Sequence, residues 1–232
     1  MREFEREARV NAAEPAAVVL RPLPGLAGVL HIGGRLTEAG LRPEERELLS
    51  RLPAGRHQDF IRGRRAAAHA LDMVGRSGAV VRDGPAPCFP DGVRGAISHC
   101  RGAAAAGAAT VRDDVPGVGV DVERVGRLSP RTASLVCTRG ELARLDCADP
   151  AVLATVFSVK ESVYKAMFRL DPPRSPLVFH GVEVRLDGNR VGIDDAAGLL
   201  QSGETLEGRF YRAGSYVWTI VWVTAQPSRS GV

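Results

Sequence analysis

Apolar and polar residues along this chain of 232 residues alternate between helix-like and strand-like spacing. A first helix is predicted to begin at Pro43, because proline suits the first turn and the acids that follow it suit the positive end of the helix dipole. A second helix is predicted from about Arg56 to Val74, where apolar residues recur at steps of three and four before Gly75. The proline-rich stretch 84–92 is predicted to be an ordered loop or a linker.

The rest of the chain predicts strands, then helices, then hairpins. Strands are predicted at 95–99, 104–111 and 117–122, and helices at 130–136, 139–145 (with Thr138 as N-cap) and 150–168. Two hairpins are predicted, one pairing 182–186 with 190–193 and the other pairing 206–212 with 216–223. Helix followed by two strands occurs in both halves, which indicates two similar α/β units: 1–115, 116–225 and a frayed tail, 226–232.

Composition limits the class of protein. Hydrophobic residues make up 44% of the chain and charged residues 25%, as is typical of a globular protein. Its start lacks an apolar signal segment and no stretch reaches the roughly 18 apolar residues of a membrane span, so we expect a cytoplasmic protein without a membrane partner. The four cysteines have no metal-binding spacing and are expected to be reduced thiols. Aromatic residues are 5% and are not interleaved with a basic run, which disfavours nucleic-acid binding.

The two lysines of the chain, Lys160 and Lys165, lie five residues apart, whereas every other cationic side chain apart from histidine is one of 29 arginines. Lysine is a compact point charge with a tunable pKa, and arginine is a planar, permanently charged fork. Where lysine persists against such a bias, we expect a task that a guanidinium does not perform. The alternative is chance survival of two neighbouring codons.

Two acids and a helical pair are candidates for chemistry. Asp121 and Glu123 end an apolar strand and project to the same side, as suits the oxygen ligands of Mg²⁺; the alternative is a solvated strand end. Glu161 and Lys165 are four residues apart on a predicted helix and face the same way. The alternative for this second pair is an ordinary surface contact, although the aromatic residues beside it indicate that part of this face is buried.

A second group of residues has the character of a phosphate site. Ser98 and His99 close a predicted strand, and Arg56 and Arg64 lie a little over two helical turns apart, on nearly one side. A pair of arginine forks suits a phosphate monoester. The alternatives are a structural histidine and a solvated basic face.

Taken in order, four motifs resemble the Sfp-type 4′-phosphopantetheinyl transferases, particularly their EntD-like branch. The matching segments are Arg56-x-x-Asp59-Phe60-x-x-Gly63-Arg64-Arg65-x-Ala67, Pro87-Cys88-Phe89-Pro90-Asp91-Gly92-Val93-x-Gly95-x-Ile97-Ser98-His99-Cys100, Gly119-Val120-Asp121-Val122-Glu123, and Phe157-Ser158-Val159-Lys160-Glu161-Ser162-x-Tyr164-Lys165-Ala166. The resemblance implies an α/β (α+β) fold of two similar subdomains related by pseudo-twofold symmetry, with coenzyme A and Mg²⁺ in the cleft between them.

The resemblance also implies roles for individual residues. It makes Asp121, Glu123 and Glu161 the metal ligands, Glu161 and Lys165 the pair that moves the proton, and Lys160 a residue near the coenzyme phosphates. Arg56 and Arg64 would bind the adenosine 3′-phosphate, and Ser98 and His99 the phosphate groups of the nucleotide. Whether Glu161 or Lys165 is the base stays open. Many relatives carry a lysine before the Pro-Cys-Phe/Trp-Pro motif; here Gly84-Pro85 stands in that place, and Arg82 is a candidate substitute.

The implied activity is transfer of the phosphopantetheine arm of coenzyme A to a serine of an acyl or peptidyl carrier protein, with release of 3′,5′-ADP. Siderophore, polyketide, nonribosomal peptide and fatty acid synthases all use such carriers, and the sequence does not choose among them. The net charge of +4 suits an acidic carrier, and a monomer is expected. Two alternatives are a Mg²⁺-dependent phosphodiesterase or nuclease, and a non-catalytic nucleotide-binding protein of the same fold.

Overall fold

The computed structural model describes residues 16–84, 86–101, 104–168, 170, 179–195 and 198–225. The helices are α1 (Pro43–Ser50), α2 (His57–Met73), α3 (Ala133–Val136), α4 (Arg139–Arg144) and α5 (Pro150–Phe168). The strands are β1 (Ala16–Leu23), β2 (Leu26–Ile32), β3 (Val81–Asp83), β4 (Ala86–Cys88), β5 (Arg94–Cys100), β6 (Ala104–Thr110), β7 (Gly117–Arg124), β8 (Val182–Asp187), β9 (Arg190–Asp195), β10 (Glu204–Ala213) and β11 (Tyr216–Ala225). Short 3₁₀ turns lie at Ala54–Arg56, Pro130–Thr132 and Phe179–Gly181.

The first sheet has the strand order β1-β2-β6-β5, all antiparallel, and α2 packs across one of its faces. The helix approaches β6 at Gly107. A Cβ atom added there would lie 2.6 Å from backbone atoms of Ala66 and Ala67, so no side chain fits between this helix and this strand.

The second sheet has the order β7-β11-β10-β9-β8 and carries α5 on its β7 and β11 strands. Glycines again allow the approach. A Cβ on Gly119 would lie 1.8 Å from the Ser162 carbonyl oxygen, and one on Gly117 would lie 2.3 Å from that of Ala166. The helix backbone therefore rests directly on β7.

The two sheets face each other between the two long helices. Leu26, Leu30 and Ile32 of the first sheet share one buried cluster with Trp218 and Trp222 of the second. Gly28 makes room for this contact, because a Cβ there would lie 3.1 Å from Ile220 and 3.2 Å from Trp218. The layers are thus α2, first sheet, second sheet and α5.

The structure confirms the predicted helices, the strands corresponding to β5, β6 and β7, and both C-terminal hairpins. The sequence analysis missed the hairpin β1–β2, whose second strand is buried along almost its whole length and therefore shows no alternation of apolar and polar residues. The proline-rich stretch is in part a two-stranded ribbon, β3–β4, rather than only a loop. The predicted tail 226–232 lies outside the described residues.

All four cysteines are free thiols. Cys137 and Cys147 are buried with their sulfur atoms 3.4 Å apart, and burial raises the pKa of Cys137 to about 12. In the described parts of the chain, no helix combines the length and the apolar character needed to cross a membrane.

Candidate active site

The two acids of β7 lie where this strand meets α5 and the edge of the first sheet. Gly117 and Gly119 face α5, so Asp121 and Glu123, two and four residues further on, lie on the same face of the strand. Both are buried, Asp121 with 4% and Glu123 with 8% of its surface exposed. The prediction that they share one side of a strand is confirmed.

Lys165 connects the two halves of the molecule through Asp121 and Ser98. Its Nζ donates to Asp121 Oδ1 at 2.7 Å and to Ser98 Oγ at 3.0 Å, and a third donated bond reaches the Val120 carbonyl at 3.1 Å. Ser98 in turn donates to the same Asp121 oxygen at 2.7 Å. All three hydrogens of an ammonium are therefore used, which is the contact pattern of a cationic donor.

One oxygen of Asp121 is left over. Its Oδ2 is buried and has no hydrogen-bond partner within the described structure. A buried carboxylate oxygen without a donor is costly. It points to a ligand or ion that approaches from that side.

Glu123 is held by Arg127. The guanidinium donates to both carboxylate oxygens, from Nε at 2.7 Å and from Nη2 at 2.8 Å. Burial raises the pKa of Glu123; the Arg127 contact opposes this rise, and the nearby Asp121 charge adds to it. The sequence analysis did not identify Arg127, which is four residues from Glu123 but across a turn rather than along a helix.

Glu161 belongs to the same electrostatic group. Burial raises its pKa, the charge of Lys165 opposes the rise, and the charges of Asp121 and Glu123 add to it. The three predicted acids are thus close enough to repel one another. A carboxyl group with a raised pKa is a better proton acceptor than an ordinary surface glutamate.

As the side chains lie, cations already neutralise two of these acids. Among the residues that the structure describes, no three His, Cys, Asp or Glu side chains are grouped tightly enough to hold a metal. The donor set nevertheless suits a hard cation, since it offers the unpaired Asp121 Oδ2 and two carboxyl groups in mutual repulsion. Arg127 is the group that such an ion would have to displace from Glu123 or share with it.

Lys160 lies elsewhere, in the core between α3, α4 and α5. Its Nζ donates to Glu141 Oε2 at 2.7 Å and to the Val136 carbonyl at 2.8 Å, and Lys160 and Glu141 are 2% and 0% exposed. This burial argues against the role near the coenzyme phosphates that the resemblance implied, because a phosphate could not reach the ammonium. The sequence analysis identified Thr138 as an N-cap, but neither its capping box with Glu141 nor the pairing of Glu141 with Lys160.

The structure separates the residues that were predicted to bind phosphate. Arg56 Nη2 lies 3.5 Å from His99 Nε2, and both side chains are exposed at the start of α2 and the end of β5. Arg64 is 8% exposed and stacks over Phe60, with 4.4 Å from its Cζ to the ring centre. Burial lowers its pKa to about 10, a fall that Glu45 opposes and Arg82 increases. Arg64 is therefore not on a solvated basic face, and Arg82 lies near enough to interact with it.

Two family models match this chain in succession. The one described as 4′-phosphopantetheinyl transferase N-terminal domain matches residues 44–109, and the one described as 4′-phosphopantetheinyl transferase superfamily matches residues 117–220.

Two individual relatives are similar over most of the chain, and a third over about half of it. The chain is 32% identical over 173 residues to the 4′-phosphopantetheinyl transferase PptT of Mycobacterium tuberculosis, covering 72% of this chain and 75% of the relative. It is 34% identical over 184 residues to the 4′-phosphopantetheinyl transferase Svp of Streptomyces mobaraensis, covering 73% and 70%. Identity to enterobactin synthase component D of Salmonella typhi is 38% over 119 residues, or 48% of each chain.

A solved structure of a holo-(acyl-carrier-protein) synthase from Bacillus anthracis in complex with CoA (3′,5′-ADP) is 15% identical and covers 48% of this chain and 98% of that one, with a TM-score of 0.38. This likeness is too distant to carry an argument about the site.

Proposed function

We propose a mechanism for this chain, which belongs to the 4′-phosphopantetheinyl transferase superfamily. Asp121, Glu123 and Glu161 hold Mg²⁺. Glu161 and Lys165 handle the proton and the developing charge. The enzyme transfers phosphopantetheine from coenzyme A to carrier proteins. The observation that carries the proposal is the Lys165 ammonium, which joins Ser98 of the first sheet to Asp121 of the second.

The reaction is a displacement at phosphorus. The hydroxyl oxygen of a carrier serine forms a bond to the β-phosphorus of coenzyme A, and the bond from that phosphorus to the bridging oxygen breaks. The bridging oxygen leaves with 3′,5′-ADP, and the hydroxyl proton passes to a base. Catalysis of such a transfer consists largely of positioning and charge stabilisation.

A Mg²⁺ ion, when bound, would neutralise charge on the pyrophosphate oxygens. Asp121 Oδ2 is the best-supported protein ligand because it is buried and unpaired. Glu123 and Glu161 would supply the remaining protein ligands, because a divalent cation would relieve the repulsion between their carboxylates. Arg127 occupies both oxygens of Glu123 and would compete with the ion for them.

Glu161 is the better candidate for the base. Burial raises its pKa, and it lies beside Lys165 on α5. Lys165 has all three donors engaged with oxygen atoms, so its part is that of a fixed positive charge that orients Asp121 and Ser98. Ser98 would then act on the acid group and not directly on the nucleotide.

The nucleotide end of coenzyme A would bind at the start of α2. Arg56 and His99 are exposed side by side there, and their donors suit the 3′-phosphate. Arg64, about two turns further along α2, and Arg82 near it would add positive potential. We assign Lys160 a structural role.

The carrier is proposed to be acidic, as the net charge of +4 favours, and the enzyme to act as a monomer. Neither the phosphodiesterase nor the non-catalytic alternative is supported by the family matches. The carrier is predicted to belong to a siderophore, polyketide, nonribosomal peptide or fatty acid synthase.

The test is to incubate the protein with coenzyme A and several apo carrier proteins, with Mg²⁺ and with EDTA, and to weigh the carriers by mass spectrometry. We expect a gain equal to one phosphopantetheine only when Mg²⁺ is present. Equal gain in EDTA would overturn the metal dependence. Absence of gain on every carrier, in a protein that binds coenzyme A, would overturn the transferase function itself.

A further inference from the structure

A cluster of three buried hydroxyl groups joins α5 to β11 beneath the site. Thr219 Oγ1 lies 3.0 Å from Ser158 Oγ and 2.7 Å from Ser162 Oγ, and it donates to the Ser158 carbonyl at 2.9 Å. All three side chains are 0% exposed. A hydroxyl has one hydrogen and two lone pairs, so these contacts use the full capacity of Thr219 and leave it nothing to offer a substrate.

Thr219 lies on β11, the strand next to β7, which carries Asp121 and Glu123. In the pairing of β11 with β7 its partner is Asp121, so the two side chains are cross-strand neighbours on the face that carries α5. The cluster therefore connects the helix to the strand position directly beside the acid.

The helical partners of Thr219 lie in line with the catalytic lysine. Ser158, Ser162 and Lys165 follow one another at steps of four and three, which places them on one stripe of α5. Glu161 is the neighbour of Ser162 in the chain. A shift of this stripe along β11 would move both Glu161 and Lys165 relative to Asp121.

Packing and hydrogen bonds both act against that shift. Where α5 crosses β7 the strand carries Gly117 and Gly119, so no side chain at these positions interlocks with the helix. Over β11, apolar residues of the helix share a buried cluster with Val221 and Val223, and the hydroxyl contacts of Thr219 add directional bonds at the strand position beside the acid.

We infer that Thr219 is a positioning residue for the transfer, which sets the register of α5 on the second sheet and thereby holds Lys165 and Glu161 against Asp121. The inference rests on the function proposed above. It assigns Thr219 no contact with coenzyme A or carrier.

The test compares three variants. Thr219→Val keeps the shape and removes the hydroxyl, and Thr219→Ser keeps the hydroxyl. Thr155→Val is the matched control, because Thr155 is also 0% exposed and on α5 but donates only to the Ala151 carbonyl of its own helix, at 2.7 Å.

We expect Thr219→Val to lower kcat by about 10- to 100-fold, the cost of a misplaced catalytic group, with the KM for coenzyme A nearly unchanged. Thr219→Ser should retain most of the wild-type kcat. Thr155→Val should retain the wild-type kcat even if its Tm falls as much as that of Thr219→Val. A kcat for Thr219→Val close to wild type, or an equal loss in the control, would overturn the inference.

A second readout does not require turnover. Because the chain has two lysines, ¹³Cε-lysine labelling gives two side-chain signals, which Lys165→Arg assigns. The Lys165 signal should move in Thr219→Val and stay in Thr155→Val; an unmoved signal overturns the inference. If wild type transfers no phosphopantetheine, the proposed function fails, while this measurement still decides whether Thr219 positions Lys165.

Discussion

The two lysines of α5 make ion pairs of equal length and different character. Lys160 reaches Glu141 at 2.7 Å with both side chains almost fully enclosed, whereas Lys165 reaches Asp121 at 2.7 Å with 24% of its own side chain exposed. The first pair satisfies both partners within the core. The second leaves Asp121 Oδ2 unpaired and opens toward solvent. Distance alone does not separate these two pairs; the exposure of Lys165 and the unpaired oxygen of Asp121 do.

The largest effect is expected from Lys165. Lys165→Ala should lower kcat for carrier loading by about 10³-fold, within the range for the loss of a preorganised group that stabilises charge in the transition state. Lys165→Arg should recover little, because a planar fork does not fit three oxygens arranged for a compact ammonium. Steady-state kinetics check both. Full activity of Lys165→Arg would show that any positive charge suffices there.

Lys160→Ala should act on folding rather than on chemistry. Removing one partner of a buried pair leaves Glu141 uncompensated, which costs about 3–5 kcal/mol of unfolding free energy. Urea unfolding measures this loss. The double variant Lys160→Met with Glu141→Leu should recover only part of the stability, because Glu141 also accepts hydrogen bonds from the backbone N–H groups of Thr138 and Val184. If Lys160→Ala were stable but had a raised KM for coenzyme A, the phosphate role implied by the resemblance would be right.

Arg127 extends the comparison of ion pairs to Glu123, whose carboxylate it binds. Arg127→Ala removes the guanidinium that occupies both oxygens of Glu123, so less Mg²⁺ should be needed for half-maximal activity, by a factor of about three to ten. A Mg²⁺ titration of the initial rate checks this shift. Arg51→Ala, which removes an exposed ion pair with Glu47 on α1, is a suitable control. An increased Mg²⁺ requirement would mean that Arg127 supports the ion.

The smallest effect is a pH dependence of stability. Since burial raises the pKa of Glu161, the ionised carboxylate is disfavoured in the folded protein; this cost is present above the folded pKa and is relieved as pH falls through it. Glu161→Gln should therefore raise Tm slightly at pH 8 in EDTA, and the gain should shrink toward pH 4. Thermal unfolding across this range gives the result. A gain that grew with acidity would reverse the assigned sign.

Motifs with a local pattern could be predicted from the sequence, and contacts between distant elements could not. The shared side of Asp121 and Glu123 follows from alternation along one strand, and Thr138 follows from the preference of threonine for the N-cap. The pairing of Lys160 with Glu141 and the Ser158–Thr219 contact join residues 19 and 61 positions apart, and no spacing rule links them. The lysine bias gave both lysines one explanation, whereas the structure places Lys160 in the core and Lys165 beside Asp121.

The first hairpin shows the same limit for the fold. Pro24-Gly25 is a turn that the sequence displays, yet β2 on its own lacks alternation, because one face meets α2 and the other meets the second sheet. A strand enclosed on both faces reads as a plain apolar stretch. Its place becomes evident only once both covering layers are known.

The contact between the sheets has a consequence for how the protein can be divided. Leu30 and Trp218, nearly two hundred positions apart in sequence, are both fully enclosed in one cluster. A fragment that ended between β6 and β7 would display this apolar face to water and would tend to self-associate. Because a short connection joins β6 to β7, every chain carries one copy of each sheet. The apolar face of each sheet is therefore covered by the other sheet of the same chain.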